Sequence, residues 1–259
     1  MDTLLKKFLK DAKNMHAREV ILLHRFLYDI KLEAARNSYY LNSYFDDIDH
    51  DGFDVIFDDQ DYIKKIQLKS VVGKSTKSWS IHKKLLRPSR YLLSILGFEC
   101  SPIGEGTEGG VILIEFQEKN EDLEIFYYYT DVFVLLAFEC KIIRRKHNKS
   151  QKAVIDCLAK LRQGLGSEMM SVPKAAFIKS KNIDSLMSLM GLHNNAQSSW
   201  KDSVIKIANN ILPPPADRLL ALDVPIDKMY QFAIEEILKL TSDMSIVPCP
   251  CSSSTTHRH

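Results

Sequence analysis

The chain has 259 residues, and its 35 Lys plus Arg against 33 Asp plus Glu give a formal net charge of +2. Hydrophobic residues make up 45 % and charged residues 26 %, a globular composition that excludes collagen-like, disordered and disulfide-scaffold classes. The length is enough for one large core or two smaller ones. A net charge near zero argues, at first sight, against a nucleic-acid partner.

Along the chain, residues 3–37 carry apolar positions at three- and four-residue steps (Val20, Leu23, Leu27, Ile30 and Ala34), which predicts helix. Asn14 is expected to divide it. Residues 39–45 are aromatic-rich and expected to be extended. Asp51-Gly52 signals a turn. Residues 53–57 form a short apolar run, residues 58–61 a polar turn, and residues 62–72 a second strand. In that strand Ile66 and Leu68 share one face, Gln67 and Lys69 the other.

Residues 78–87 mix Trp, His and Lys and close at Pro88. A glycine-rich approach, residues 104–110, leads into a strand over 111–116. Residues 123–138 read as two strands or a strand passing into a helix. Helices are expected over 153–165, 183–192, 198–212 and 226–240, with Pro213-Pro214-Pro215 separating the last two. The predicted organisation is an α/β core over residues 1–148, a helical C-terminal region over 149–245 and a flexible polar tail over 246–259. On the last helix Met229, Phe232, Ala233, Ile237 and Leu240 form an apolar stripe, suited to packing on the core or to a homodimer.

No segment reaches the eighteen or so apolar residues that a membrane helix needs, and no secretory leader is expected. The five scattered cysteines read as reduced thiols of a cytoplasmic protein. Cys249-Pro250-Cys251 with His257 and His259 matches no common zinc spacing.

The segment with chemical content is Gly52-Phe53-Asp54-Val55-Ile56-Phe57 followed by Gln67-Leu68-Lys69-Ser70. A carboxylate at the start of one strand faces an amide oxygen and a lysine on the next. Magnesium takes hard oxygen ligands, so Asp54, Gln67 and the Leu68 carbonyl form a candidate set, with Lys69 placed to assist a water. This order, helix then Asp strand then Gln-x-Lys strand, resembles the PD-(D/E)XK, restriction-endonuclease-like superfamily. The resemblance spans about residues 15–140, and its motif is three residues long. It implies a restriction-endonuclease-like mixed β-sheet flanked by helices. It also implies Mg²⁺- or Mn²⁺-dependent hydrolysis of DNA, with RNA as the alternative substrate. In that family the Asp and the Glu or Gln bind metal and the Lys assists hydrolysis. Gln67 departs from the commoner carboxylate. An acidic residue from the preceding helix often completes the set: Glu33 is the first candidate, Asp29 the second and Glu19 the third.

Other readings remain. The sequence allows the same fold as a catalytically inactive binding module. Asp47, Asp49, Asp51 and Asp58 match part of an EF-hand calcium loop, without the closing Glu. Gly73-Lys74-Ser75 lacks the first glycine of a P-loop. Trp79, His82, Lys83, Lys84 and Arg87 are either a nucleic-acid contact or a basic face over a buried Trp. Charge is unevenly spread. Residues 43–61 hold eight Asp and no Lys or Arg, for −8; residues 62–100 sum to +8 and residues 141–181 to +9. Carboxylates between basic flanks suit a metal-dependent phosphodiesterase, so the overall +2 hides the pattern that matters.

Overall fold

The computed structural model describes residues 3–45, 52–71, 76–99, 105–119, 122–163, 167–194, 198–212 and 224–249. The N-terminal segment forms α1 (Leu4–Lys10), a 3-10 turn (Ala12–Asn14) and the 22-residue α2 (Met15–Arg36). The break falls where Asn14 predicts it. Asp11 caps the turn by accepting from Lys13 N, and Arg18 reaches back from α2 to donate to the terminal carbonyl of Leu9 in α1.

After α2 come β1 (Asn42–Tyr44), β2 (Val55–Asp58) and β3 (Ile63–Val71). Then follow β4 (Ser78–His82), α3 (Lys83–Leu86), α4 (Arg90–Ile95), β5 (Gly110–Lys119) and β6 (Asp122–Asp131). The six-stranded sheet has the order β1-β2-β3-β5-β6-β9, where β9 is the two-residue strand Ile178–Lys179. Its pairs are antiparallel except β3 with β5, which is parallel. A parallel neighbour needs a crossover, supplied here by β4, α3 and α4. The architecture is therefore mixed α/β.

Helix α2 lies on one face of the sheet. Its Phe26 meets Phe57 of β2 edge-on at 5.8 Å and Tyr127 of β6 at 5.4 Å. By strand alternation Val55, Ile66, Leu68, Ile112 and Ile114 share that face, and Gln67, Lys69, Leu113, Glu115 and Tyr128 take the other. Residues 123–138 resolve into β6 running directly into α5 (Val132–Glu139), a helix buried along its length. Asp131 makes the junction by accepting from Val134 N at 2.9 Å as the N-cap.

The remaining elements are β7 (Ile143–Arg145), α6 (Asn148–Arg162), β8 (Met169–Pro173), α7 (Ile183–Met190), α8 (Trp200–Ile211), α9 (Ile226–Leu240) and β10 (Ile246–Pro248). Two expectations change here. The C-terminal region is not all helical: β8 pairs with β4, and β9 extends the central sheet beside β6. The tail begins later than expected, because residues 246–248 form β10 and pair with β7. Strand pairing thus crosses the expected boundary near residue 148, and one continuous cluster of buried side chains includes residues from both sides. On α9 the apolar stripe packs inward through Met229, Ala233, Ile237 and Leu240, while Phe232 stays exposed.

Candidate functional site

The site forms where β3 outruns β2. The register pairs Val55 with Ile66, which places Asp54 opposite Gln67 at the last rung of β2. Asp54 N donates to Ile66 O at 2.8 Å, and Asp54 Oδ2 accepts from Leu68 N at 2.5 Å. The carboxylate therefore stands in for the next strand residue. In a strand the N–H and C=O of one residue point to the same side. The Leu68 carbonyl accordingly points to the edge that β2 has left, beside Asp54. Gly52 allows the tight entry: its φ is +72°, and a Cβ there would lie 2.5 Å from His82 Cβ.

A cleft of about 280 Å³ lies between this edge and the first half of α2. Asp54, Leu68, Lys69 and Ser70 line it from the sheet side, and His16 and Glu19 from the helix. Asp54 and Glu19 are exposed to solvent, and Lys69 is half-buried. The acidic residue of the helix that lines this cleft is Glu19, the third choice; Glu33, the first, does not line it. Glu33 sits fourteen residues further on, about 21 Å along the helix axis at 1.5 Å per residue. There it accepts from Arg36 Nη1 at 3.3 Å and Asn37 Nδ2 at 3.4 Å. Asp29 is likewise engaged, by Arg25 Nε at 3.0 Å and the Tyr127 hydroxyl at 2.8 Å.

Gln67 and Lys69 share the sheet face away from α2, and of the two only Lys69, at the edge, also lines the cleft. Gln67 is 5 % exposed. Its Oε1 has no hydrogen-bond partner among the described residues. A buried amide oxygen without a partner costs roughly 1–3 kcal/mol, which a cation or a water would relieve. Among the described residues no group of three or more His, Cys, Asp or Glu converges. The donors in the cleft are of another kind: the Asp54 and Glu19 carboxylates and the Leu68 backbone carbonyl at the β3 edge. All are hard oxygens, and that chemistry fits magnesium or manganese.

The basic segment resolves mainly into packing. Arg87 is fully buried and donates to the carbonyls of Leu161 and Arg162, closing the C-terminus of α6, while its guanidinium lies 5.2 Å from the Phe98 ring. Trp79 is 8 % exposed and meets Phe177 edge-on, and Lys83 is 8 % exposed. Of the candidate nucleic-acid contacts, Arg87, Trp79 and Lys83 are thus buried, and Arg87 and Trp79 pack within the fold. His82 and Lys84 remain half-buried, with His82 Nδ1 accepting from Lys84 N at the start of α3.

Asp47, Asp49 and Asp51 lie outside the described residues, as do Gly73-Lys74-Ser75, Cys251, His257 and His259. Asp58, the twelfth place of the calcium loop, lies in β2, where an EF-hand would be starting a helix. Cys140 and Cys157 are buried, and burial pushes both thiols up to about 12, which keeps them unreactive. No helix among the described residues is long and apolar enough to cross a membrane. No family model, curated protein or solved structure matches this chain.

Proposed function

We propose that this chain is a divalent-metal-dependent nuclease of restriction-endonuclease-like fold that hydrolyses phosphodiester bonds in DNA. The observation that carries the reading is the Asp54 carboxylate locked to Leu68 N at the open edge of β3, in one cleft with Lys69 and Glu19. The order of α2, β2 and β3 supports it, since it is the order in which the superfamily presents its motif.

Asp54, Glu19 and the Leu68 carbonyl are the residues that would hold the cation; Gln67 lies outside this cleft. The chemistry a divalent cation supplies there is neutralisation of phosphoryl charge and acidification of water. The rest belongs to the chain. Asp54 is fixed by its backbone partner, so its second-strand position does not drift when a phosphate arrives. Lys69 presents an ammonium to the charge that develops on the phosphoryl oxygens and orients the attacking water. Glu19 sits across the cleft and balances the added positive charge.

The test is plasmid and linear DNA incubated with Mn²⁺ or Mg²⁺. Lys69→Ala and Asp54→Asn are each expected to slow cleavage by about 10²-fold or more, with unchanged circular dichroism. Glu19→Gln is expected to slow it measurably and Glu33→Gln to leave it as in the wild type. Cleavage at the wild-type rate in Lys69→Ala sinks the reading. The second reading is a catalytically silent DNA-binding module of the same fold. What favours it is Gln67, a neutral residue at a motif position where a carboxylate is commonest, and one that lies outside the cleft. Salt-sensitive binding with no cleavage under any divalent ion selects it.

A further inference from the structure

On the sheet face that carries Lys69 there is a second concavity, of about 390 Å³, walled by Tyr128, Arg145, Lys146, His147, Ser150 and Lys174 among others. The register connects it to the candidate site. Lys69 pairs with Leu113, and Leu113 pairs with Tyr128, so Lys69 and Tyr128 lie in one lateral row. Two strand spacings separate them, roughly 10 Å.

The walls carry more cations than anions, Asp243 being the acidic residue among them, and are ordered from beneath. Arg145 is 4 % exposed and held by Asp243 Oδ2 at 2.6 Å, Ser245 Oγ at 2.7 Å and Ala175 O at 2.8 Å. Lys174 is paired with Glu115 at 3.3 Å, yet its side chain is 41 % exposed. Lys146 and His147 are exposed at the rim, and Arg144, Lys149 and Lys152 beside them are exposed as well. The 15-residue α6 starts at this wall with no side-chain cap and no acidic residue in its first turn, adding its dipole to the same positive field.

We infer that this concavity is a phosphate subsite: Lys146 and Lys174, with His147 at the rim, hold a DNA backbone phosphate flanking the bond presented to Asp54 and Lys69. The inference rests on the nuclease reading for its choice of ligand. It differs from the Trp79–Arg87 segment, and its residues fall in the basic stretch 141–181, just after β7, at the start of α6 and in the turn after β8. Arg145 acts as a positioning residue that fixes the walls, since its donors are committed to protein acceptors.

The experiment is fluorescence anisotropy of a labelled DNA duplex with the full chain, in Ca²⁺ and again without divalent ions, across a salt series. The Lys146→Ala/Lys174→Ala double variant is expected to bind about tenfold or more weakly and to lower the slope of log K against log salt by about 2. Lys146→Glu, a change at an exposed position, is expected to weaken binding without altering the melting temperature. Lys31→Ala, exposed on α2 across the sheet, is expected to bind as the wild type does. Wild-type affinity and slope in the double variant, or heparin binding with no duplex binding, overturns the proposal. The two readings fail separately. Pocket variants that lose binding in a protein that never cleaves leave the subsite standing and remove the nuclease. Asp54-dependent cleavage with undiminished binding in the pocket variants does the reverse.

Discussion

Asp131 carries two ammonium groups on one buried carboxylate. Lys201 Nζ lies 3.2 Å and Lys64 Nζ 3.5 Å from its Oδ2, which also accepts the Tyr129 hydroxyl at 2.7 Å. Burial alone would raise this carboxyl, but Lys201 and Lys64 outweigh it and hold it below its ordinary value of 3.8. Burial pushes both lysines down, and their mutual repulsion adds to that for Lys201. Removing the carboxylate strands two buried cations. Asp131→Asn is expected to lower stability by about 3–5 kcal/mol at pH 7, read from urea unfolding. The sign with pH follows from the depressed carboxyl. Its contribution is complete above 3.8 and is lost as pH falls through the lower folded value, so the gap between variant and wild type closes in acid. A gap that stays constant down to pH 2 contradicts this account. None of this was legible in the sequence: Lys64 and Lys201 are 137 positions apart, and each looks like a surface lysine.

Single elements divide by how local their causes are. α2, β2 and β3 were legible because helical and alternating periodicities leave a mark within a few residues. β9 and β10 were not, since two and three residues give no period and these strands exist only through partners far away in sequence. The same reasoning explains Glu19. Glu19, Asp29 and Glu33 all lie on α2, and only the line along which β3 crosses beneath the helix selects among them. The approach to β5 is a clear case of element-level constraint. Residues 106–109 donate to the carbonyls of Pro88, Lys84, Arg87 and Leu85, laying the loop directly on α3. A Cβ on Gly106 would stand 2.0 Å from the Arg87 carbonyl oxygen. Gly106→Ala is therefore expected to cost roughly 1–3 kcal/mol, seen as a lower urea midpoint with an unchanged slope. An alanine variant as stable as the wild type shows that the loop has room the backbone positions deny.

For the whole molecule the decisive fact is that the two halves share strands. β8 completes β4, β9 completes the central sheet, and Ser180 bridges to Thr241 beyond α9. Composition suggested a core followed by a helical region because helical periodicity dominates after residue 148, and the short strands between those helices carried no signal. The fragment 1–148 is expected to lack a cooperative transition in urea, because Trp79 and Ile81 of β4 lose β8 and α5 loses α6 and α8. A sharp two-state transition in that fragment contradicts this.

The central sheet also terminates unusually, with its two shortest strands, β1 of three residues and β9 of two, as its borders. An open border is a template on which another chain can hydrogen-bond, and its hazard grows with its length. Borders this brief also leave rungs of the longer strands uncovered: β9 pairs only with Tyr128 and Tyr129 of β6, and β2 stops at Ile66 of β3. At the β9 border Lys179 guards the rung, its ammonium lying 3.8 Å from the Phe126 ring. A foreign strand would therefore pair, if anywhere, with the uncovered stretch of β6 before Tyr128 or with β3 beyond Leu68, whose N–H the Asp54 carboxylate already occupies.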